Sequence, residues 1–253
     1  MNNIYIGDIH GLDVWKEIVD KHSDADNIVF IGDYFDSFNH SGVEQLHNVK
    51  EIVEFKKSSS SNVHLLIGNH DHHYWPNVKD KGSTSGFQPS MSFQFQMFFM
   101  ENEEHFKIAV RVDKCLCTHA GVSMDFLEAT GYNLLEEKPD VAEYLNDLFK
   151  YKPNSFIFGH YHNDGFPPNH YGDDVWQSPI WIRPKSLQKS NKKSWLQKEF
   201  IQIVGHTQQS QIDIKGKSTG GKYYYIDTLN EGQYLIEEDG EFKVGNCSIQ
   251  KYI

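Results

Sequence analysis

Residues 7–11 read Gly-Asp-Ile-His-Gly and follow a short apolar run, Ile4-Tyr5-Ile6. Such a run predicts a β strand, so Asp8 and His10 would lie on the loop just past its end. With one residue between them, both side chains can turn to the same side of the loop and share one metal ion. An Asp-x-His sequence after a strand also arises by chance, so this motif alone does not define a metal site.

The same pattern of apolar strand, glycine and metal-competent side chain recurs four more times along the chain. Strand ends on one edge of an open sheet converge, and ligands bind at that edge in such folds. The repetition therefore predicts that side chains far apart in the sequence meet at one rim. The four further motifs are Gly32-Asp33-Tyr34-Phe35-Asp36, Gly68-Asn69-His70-Asp71, His119-Ala120-Gly121 and Gly205-His206-Thr207.

Hydrophobic spacing between the motifs predicts the connecting elements. Apolar residues recur at helical spacing over 12–19 and 43–53, so residues 1–71 are interpreted as strand, helix, strand, helix, strand. This order is typical of an α/β fold with parallel strands. Similar spacing predicts a helix over about 139–151, and strict alternation predicts one strand over 106–112. Short antiparallel strands are expected at 223–228, 233–236 and 241–244.

Two stretches interrupt this order, and we interpret them as insertions in a single domain spanning residues 1–253. Residues 72–105 begin with His72-His73-Tyr74-Trp75-Pro76 and contain Gly-Ser-Thr-Ser-Gly at 82–86, which predicts an exposed insertion. Its phenylalanines are expected to pack a lid helix onto the body rather than to stack on substrate. Residues 159–199 hold four prolines and a Lys-rich stretch, and are expected to form a second insertion over the site.

Composition limits the classes of function. The chain has 253 residues, 38% of them hydrophobic, which is enough to bury the core of one large domain. Its formal charge is −11, which argues against a duplex nucleic acid partner, although bound divalent metals would reverse the charge locally. Three cysteines without framework spacing, and no apolar leader, favour a cytoplasmic protein. No apolar run approaches the roughly 20 residues of a membrane span, so no membrane partner is expected.

Taken in order, the five motifs resemble those of the calcineurin-like metallophosphoesterases. Within that superfamily the chain is most similar to the phosphoprotein phosphatase group, which includes bacterial and phage serine/threonine phosphatases and symmetrical diadenosine tetraphosphatases. The sequence Tyr225-Ile226-Asp227-Thr228 also resembles the strand that follows the last motif of that group. The resemblance implies an α/β four-layer sandwich, in which two mixed β sheets are flanked by helices and carry lid insertions.

The resemblance also implies roles for individual residues. Asp8 and His10 would hold a first divalent metal ion, and Asp33 would bridge it to a second, since a carboxylate can sit between cations about 3.5–4 Å apart. Such a pair lowers the pKa of a bridging water, so hydroxide would be available to attack phosphorus. A mixed N/O ligand set suits manganese as the first choice and iron, zinc or cobalt as alternatives. The residues implied for the second metal ion are Asn69, His119 and His206.

His70 resembles the general acid of the family, which would protonate the leaving alkoxide. Asp36, three residues past the bridging Asp33, could accept a hydrogen bond from His70 and keep it cationic. Taken alone, His70 would be interpreted as a solvated loop histidine, but its position beside Asn69 favours the catalytic role.

The chain departs from the family pattern at the phosphate clamp. Ser37 and Ile67 stand where the protein phosphatases carry arginines. The chain has only two arginines, so a bidentate grip on phosphate must come from these or be replaced by lysine. Arg111 lies on the alternating strand and is expected at the surface. Arg183, in the Trp-x-Arg-Pro sequence at 181–184, is the candidate for substrate binding.

The last metal ligand has two candidates in the sequence. Gly159-His160-Tyr161-His162 matches the Gly-His-x-His motif of the superfamily as well as the sequence around His206 does. We prefer His206, because an apolar strand precedes it, whereas 159–162 opens the Pro-rich insertion. His160 and His162 are then expected on the lid or the surface.

The sequence therefore predicts a metal-dependent phosphomonoesterase of the serine/threonine phosphatase type, acting on a phosphorylated protein. An alternative is a hydrolase of dinucleoside polyphosphates or other small phosphoesters, suggested by the missing arginines and the acidic charge. A third hypothesis is a non-catalytic binding protein with this fold. The complete set of motif residues argues against it, because a scaffold has no reason to keep an acid beside a ligand.

Overall fold

Two β sheets lie at the centre of the computed structural model, which describes residues 1–79, 85–161, 174–214 and 220–248. The strands are β1 Asn2–Ile6, β2 Asn27–Phe30, β3 Asn62–Leu66, β4 Phe106–Lys107, β5 Ala109–Val112, β6 Cys115–Thr118, β7 Ile201–Val204, β8 Tyr223–Tyr225, β9 Gln233–Glu238 and β10 Glu241–Asn246. The helices are α1 Trp15–Lys21, α2 Gly42–Ser58, α3 Asn69–His72, α4 Ser92–Asn102, α5 Met124–Ala129, α6 Val141–Tyr151, α7 Pro184–Asn191 and α8 Trp195–Glu199.

Both sheets are mixed. The first has the order β10-β9-β1-β2-β3-β4, in which β1 to β4 are parallel and β9 is antiparallel to both of its neighbours, β1 and β10. The second has the order β5-β6-β7-β8, in which β6, β7 and β8 are parallel and β5 is antiparallel. Five of the parallel strands, β1, β2, β3, β6 and β7, are those that lead into the five motifs. The predicted α/β sandwich of two mixed sheets is confirmed.

The central strands of the first sheet are buried on both faces, and a separate hydrophobic cluster packs against each face. Ile4 and Ile6 of β1 pack in a cluster with helical residues such as Ile18 of α1 and Ile52 of α2. Tyr5 points to the opposite face and packs in the cluster between the two sheets, which Cys115 and Cys117 also join as buried side chains. Because both faces are covered, these strands have nearly continuous apolar sequences, as the sequence of β1 already indicated.

The predicted helices over 43–53 and 139–151 are confirmed, and side-chain caps fix where they begin. At α2, the Ser41 hydroxyl accepts a hydrogen bond from the backbone N–H of Glu44, and the Glu44 carboxylate accepts one from the backbone N–H of Ser41. At α6, the Asp140 carboxylate accepts a hydrogen bond from the backbone N–H of Ala142. Each cap satisfies a backbone donor that has no partner within the helix.

Two strand predictions are wrong in part. The single strand expected over 106–112 is divided between β4 in the first sheet and β5 in the second, so the chain crosses between the sheets at Ile108. Asn146 of α6 stabilises this crossing, because its Oδ1 accepts hydrogen bonds from the backbone N–H groups of Ile108 and Ala109. In the region 223–228, β8 pairs in parallel with β7 rather than forming an antiparallel strand.

The expectation of an exposed insertion over 72–105 is also wrong for its first part. Residues 72–75 are buried, with His72 3% and His73 2% exposed. The packing of the α4 phenylalanines onto the body is confirmed for Phe95 and Phe99, which are fully buried, but it is wrong for Phe93, which is 71% exposed. Residues 80–84, which hold most of the Gly-Ser-Thr-Ser-Gly sequence, lie outside the described residues.

The second expected insertion, 159–199, is described from residue 174 onward and at residues 159–161. It supplies α7 and α8, and the loop before α7 contacts the fifth motif, as shown below. His162 lies outside the described residues. Among the described helices, none combines the length and apolar character needed to cross a bilayer. The single-domain organisation stays a prediction.

Candidate metal centre

Backbone hydrogen bonds join neighbouring motifs within each sheet. The backbone N–H of Ile31 donates to the carbonyl of Ile6, which joins the first two motifs. The backbone N–H of Gly205 donates to the carbonyl of His119, which joins the last two. The predicted site residues that meet at this rim are Asp8, His10, Asp33, Asn69, His70, His119 and His206, with Asp36 and Arg183 directly behind them.

Asp33 lies at the centre of this cluster. Its Oδ2 atom is 3.2 Å from Nε2 of His119 and 3.7 Å from Nε2 of His10, while its Oδ1 accepts a 2.9 Å hydrogen bond from the backbone N–H of His70. Asp33 belongs to two groups of potential ligands, one with Asp8 and His119 and the other with His10 and His70. Within each group the ligand atoms lie within 4.8 Å of one another. A carboxylate shared by two such groups can bridge two cations.

Three imidazoles have one ring nitrogen anchored by a backbone carbonyl. Nδ1 of His10 is 2.7 Å from the carbonyl oxygen of Phe35, and Nδ1 of His119 is 2.9 Å from that of Ile31. Nε2 of His206 is 3.1 Å from the carbonyl oxygen of Trp181, in the loop before α7. A carbonyl only accepts, so each of these nitrogens donates its proton. In the neutral imidazole the other nitrogen then carries a lone pair, as metal-ligating histidines do.

These remaining nitrogens converge on oxygen atoms. Nε2 of His119 and Nδ1 of His206 lie 2.9 and 2.8 Å from the same atom, Oδ1 of Asn69. In the neutral tautomers just described, lone pairs of two imidazoles and an amide oxygen face one another, an arrangement that a cation among them stabilises. Asp8 lies close by, because the backbone N–H of His206 donates to its carboxylate oxygens at 3.0 and 3.2 Å. The cluster therefore fits a divalent metal with a mixed N/O ligand set.

His70 differs from these three histidines. Its Nδ1 faces the Asp36 carboxylate, with 3.1 Å to Oδ2, rather than a backbone carbonyl. Burial lowers the pKa of His70, but the charges of Asp33 and Asp36 outweigh burial and raise it above its ordinary value. A histidine held by a carboxylate on one nitrogen, with the other nitrogen left for substrate, suits proton transfer.

Four of the predicted site residues have left-handed backbone conformations. The φ angles are 40° for His10, 54° for Asp33, 62° for Asp36 and 63° for His206. This region is strained for residues other than glycine, although Asp and His enter it more readily than most. Strain of this kind clusters at functional sites, where the surroundings hold it in place.

Buried carboxylates repel one another in the cluster. Burial, followed by the charges of Asp227 and Asp33, raises the pKa of Asp8 well above its usual range. Burial also raises the pKa of Asp33, but positive charge on His119 and His70, which a bound metal ion would replace at His119, outweighs burial and holds this pKa well below its usual range. Positive charge at the rim therefore stabilises the ionised carboxylates, and bound metal ions would supply it.

Two carboxylates at the site were missed as site residues by the sequence interpretation. Asp71 is fully buried and accepts three backbone hydrogen bonds, from Asp33 and Gly68 at its Oδ2 and from Tyr34 at its Oδ1. Asp71 of the third motif thus holds the backbone of the second motif, at Asp33 and Tyr34, close to its own loop. Asp227 follows β8, and burial, followed by the charge of Asp33, raises its pKa to about 6. The sequence could have indicated both residues, because Asp71 belongs to the Gly-Asn-His-Asp motif and Asp227 to the Tyr-Ile-Asp-Thr sequence that resembles the family.

The two arginines lie in different places. Arg183 reaches the rim, where Nη1 donates to the carbonyl of His206 at 2.9 Å and to the hydroxyl of Thr207 at 3.1 Å. Arg111 is half exposed and forms a 2.8 Å ion pair with Asp140, as its surface prediction implied. His160 is exposed and stacks edge-on against Tyr161, so the structure brings His206 rather than His160 to Asn69.

Two mixed sheets bring histidines, carboxylates and an amide to one rim. This combination of fold and metal-binding side chains is typical of a metal-dependent hydrolase. The family model of the calcineurin-like phosphoesterases matches residues 1–210, so the chain belongs to this family and is a hydrolase of phosphoric esters. No curated protein sequence matches it significantly.

Two solved structures are similar to this chain, and the first of them supports the fold. A protein serine/threonine phosphatase from Saccharomyces cerevisiae, described as similar to human phosphatase PP5, gives a TM-score of 0.56 at 12% identity. That match covers 100% of this chain and 81% of the yeast chain. A metallophosphoesterase from Sphaerobacter thermophilus gives a TM-score of 0.44 at 13% identity, covering 98% of this chain and 89% of the other.

Proposed function

We propose that the chain is a metal-dependent phosphomonoesterase of the serine/threonine phosphatase type with a dinuclear metal site. The observation that carries the proposal is the orientation of three imidazoles. His10, His119 and His206 each give one nitrogen to a backbone carbonyl and turn the other toward Asp33 or Asn69. Metal-ligating histidines are held in this way, because the carbonyl fixes the tautomer that leaves a lone pair for the metal.

The ligands divide into two sets that share Asp33. Following the family resemblance, Asp8 and His10 would hold one metal ion, and Asn69, His119 and His206 the other. The distances alone group Asp8 with His119 and His10 with His70, so Asp33 is the ligand on which both groupings agree. Carboxylate, imidazole and amide donors favour manganese, with iron, zinc or cobalt as alternatives, while Cys115 and Cys117 pack between the sheets and stay outside the site. The metal ions, when bound, supply charge that stabilises the phosphate and lower the pKa of the water that attacks phosphorus.

The chain's own residues would bind substrate and move the proton. His70, with Nδ1 held by Asp36, donates from Nε2 to the oxygen of the leaving alcohol. Arg183, anchored by one nitrogen to the carbonyl of His206, has further N–H groups to bind a phosphate oxygen. The yeast phosphatase of similar fold supports a phosphoprotein substrate for this chain as well.

Small phosphoesters such as dinucleoside polyphosphates are the second candidate substrates. With Arg111 paired to Asp140 and Ser37 replacing the family arginine, the chain offers one arginine at the rim. With fewer arginine hydrogen bonds to the phosphate, substrate affinity would depend more on contacts with the rest of the substrate, such as a nucleoside. Turnover of a phosphoserine peptide compared with diadenosine tetraphosphate separates the two classes.

The function is tested on purified protein freed of metal by chelation and then supplied with Mn²⁺. We expect p-nitrophenyl phosphate hydrolysis that depends on added metal, and two metal ions per chain by mass spectrometry of bound metals. Asp33→Asn should lower turnover by about 100-fold or more, because both ligand sets lose their shared carboxylate. Asp24→Asn, at an exposed carboxylate, is the matched control and should leave turnover unchanged.

Absence of metal-dependent hydrolysis in the wild-type protein would contradict the proposal. Fewer than one metal ion per chain, together with absent hydrolysis, would instead favour a non-catalytic binding protein with this fold.

A further inference from the structure

The carboxylate of Asp36 has more partners than its role beside His70 requires. Its Oδ2 lies 3.1 Å from Nδ1 of His70 and also 3.0 Å from Nε2 of His73. Its Oδ1 accepts a 2.6 Å hydrogen bond from the hydroxyl of Tyr74. Asp36 is only 1% exposed, so protein groups, these three side chains among them, rather than solvent determine where the carboxylate points.

Tyr74 is itself held firmly in place. Its hydroxyl accepts a hydrogen bond from the backbone N–H of Gln88 at 3.0 Å. Its ring stacks on Phe87, with centroids 5.4 Å apart and an interplanar angle of 15°, and meets Phe95 of α4 edge-on at 4.9 Å. A tyrosine restrained at both the ring and the hydroxyl has one orientation, so the hydrogen bond to Asp36 has a fixed direction.

His73 is held by the same aromatic cluster. It is 2% exposed, and its ring lies edge-on to Tyr74 at 4.1 Å and to Phe87 at 5.1 Å. Tyr74 and His73 therefore contact the two different oxygens of Asp36 from one rigid body. With a hydrogen bond at Oδ1 and a short contact with His73 at Oδ2, the carboxylate is restrained from rotating away from His70.

We propose that Tyr74 and His73 are positioning residues for proton donation by His70, acting through Asp36. By fixing the carboxylate, they keep its Oδ2 facing Nδ1 of His70 and so leave Nε2 aimed at the leaving oxygen. The inference rests on the proposed function, because it requires His70 to act as the general acid. It gives residues 73–74 and 87–88 a second role beyond packing, since Phe87, Gln88 and Phe95 of α4 hold the tyrosine that positions the acid.

The test is the dependence of turnover on the leaving group. Phenyl phosphate needs a proton on its leaving oxygen more than p-nitrophenyl phosphate does, because p-nitrophenolate is the more stable anion. Tyr74→Phe keeps the ring and removes only the hydroxyl. We expect this variant to lose about tenfold in kcat on phenyl phosphate and about twofold or less on p-nitrophenyl phosphate.

Two reference variants calibrate this effect. His70→Asn should show the same selectivity for phenyl phosphate with a larger loss, about 100-fold or more. Tyr144→Phe is the matched control, because the Tyr144 hydroxyl donates to the backbone carbonyl of Thr130 instead of to a site residue. It should leave both substrates unaffected.

His73 provides a second, independent measurement should Tyr74→Phe not fold. His73→Leu should reproduce the selective loss on phenyl phosphate, and His73→Gln, which keeps a donor at the end of its side chain, should restore most of it. Bound metal and the thermal midpoint are measured for each variant.

Equal losses on the two substrates, or no loss on either, in Tyr74→Phe would overturn the proposal and leave Tyr74 with a purely structural role. The same applies to the His73 variants. Failure of the proposed function looks different: the wild-type protein would then lack metal-dependent hydrolysis, or His70→Asn would show no selectivity between the substrates.

Discussion

Gly205→Ala tests whether the last motif and Asp8 share one site. A Cβ atom on residue 205 would lie 2.0 Å from Oδ1 of Asp8 and 3.1 Å from Cγ2 of Ile31. Real Cβ contacts essentially never fall below 3.0 Å, so the carboxylate oxygen must move by about 1 Å. The backbone N–H of His206 holds that carboxylate, so the movement also breaks a hydrogen bond.

The expected magnitude follows from this displacement. A metal ligand that moves by about 1 Å leaves the coordination distance, and even the loss of a group that merely orients a ligand costs about 10–100-fold in affinity. We expect Gly205→Ala to weaken the binding of the Mn²⁺ ion that Asp8 would hold by about 100-fold. Turnover at limiting Mn²⁺ should fall by a similar factor. In metal-free protein the overpacking should cost about 1–3 kcal/mol of the free energy of unfolding.

Metal titration by calorimetry and denaturant unfolding of the metal-free protein measure the two effects. Gly240→Ala is the matched control, because a Cβ there meets open space although the φ of +84° strains an alanine by about 1–2 kcal/mol. It should lose stability without losing metal. In an Asp8→Ala background, Gly205→Ala should cost little stability, since the group it collides with is absent.

A Gly205→Ala protein that binds Mn²⁺ and turns over like the wild type would refute the contact between the last motif and Asp8. If Gly205→Ala lowers the free energy of unfolding equally in the Asp8→Ala background, the collision with the Asp8 carboxylate is not the cause of the loss in stability.

The other predictions concern the last ligand, the phosphate clamp and the core. His206→Ala should lose the metal ion shared with Asn69, whereas His160→Ala should keep full metal content in mass spectrometry, because His160 is exposed. Arg183→Met should raise KM for a phosphoester by about tenfold or more, through loss of a charged hydrogen bond, with the metal content unchanged. Phe99→Ala should lower the free energy of unfolding by about 3–5 kcal/mol, because the ring is fully buried, while Phe93→Ala, at a 71% exposed ring, should change it by less than about 0.5 kcal/mol in denaturant titration.

Apolar spacing within a short stretch of sequence correctly predicted most of the helices and strands. The strands leading to the motifs and the helices between them were identified from the spacing of their apolar residues. In α2 the buried face also includes Gln45 and Asn48, while Val43 is 68% exposed, so the spacing predicted the helix better than its buried face. The division of 106–112 was not predictable in this way. Residues on either side of Ile108 alternate identically whichever sheet they join, and the amide of Asn146 that stabilises the crossing belongs to a later helix.

The error over residues 72–75 has a different physical cause. Adjacent histidines indicate an exposed segment, because burying a polar ring costs free energy unless it finds a partner. His73 finds that partner in Asp36, and His72 finds one in the carbonyl of Pro153, through a 2.9 Å contact at Nε2. Both partners are distant in the sequence, so composition alone favoured the wrong prediction.

The roles of the candidate site residues stay a prediction, although the structure brings these side chains close together. Eight of the nine lie in the motifs and Arg183 in the Trp-x-Arg-Pro sequence, whereas the backbone carbonyls that anchor His10, His119 and His206 have no sequence signature. Asp71 was likewise visible only as part of a motif, although it holds three backbone N–H groups that shape the rim.

The recurrent glycine of the motifs has a steric cause that becomes visible only in the folded chain. Gly68 and Gly205 both lack a positive φ, so a backbone conformation reserved for glycine does not explain them. A Cβ on Gly68 would lie 2.0 Å from Oδ1 of Asp33, just as one on Gly205 would lie 2.0 Å from Oδ1 of Asp8. Each glycine therefore makes room for the carboxylate of a different motif. At these two positions the glycine is thus required by contact between motifs at the rim, and replacing it should impair the ligand of its partner motif more than the strand it follows.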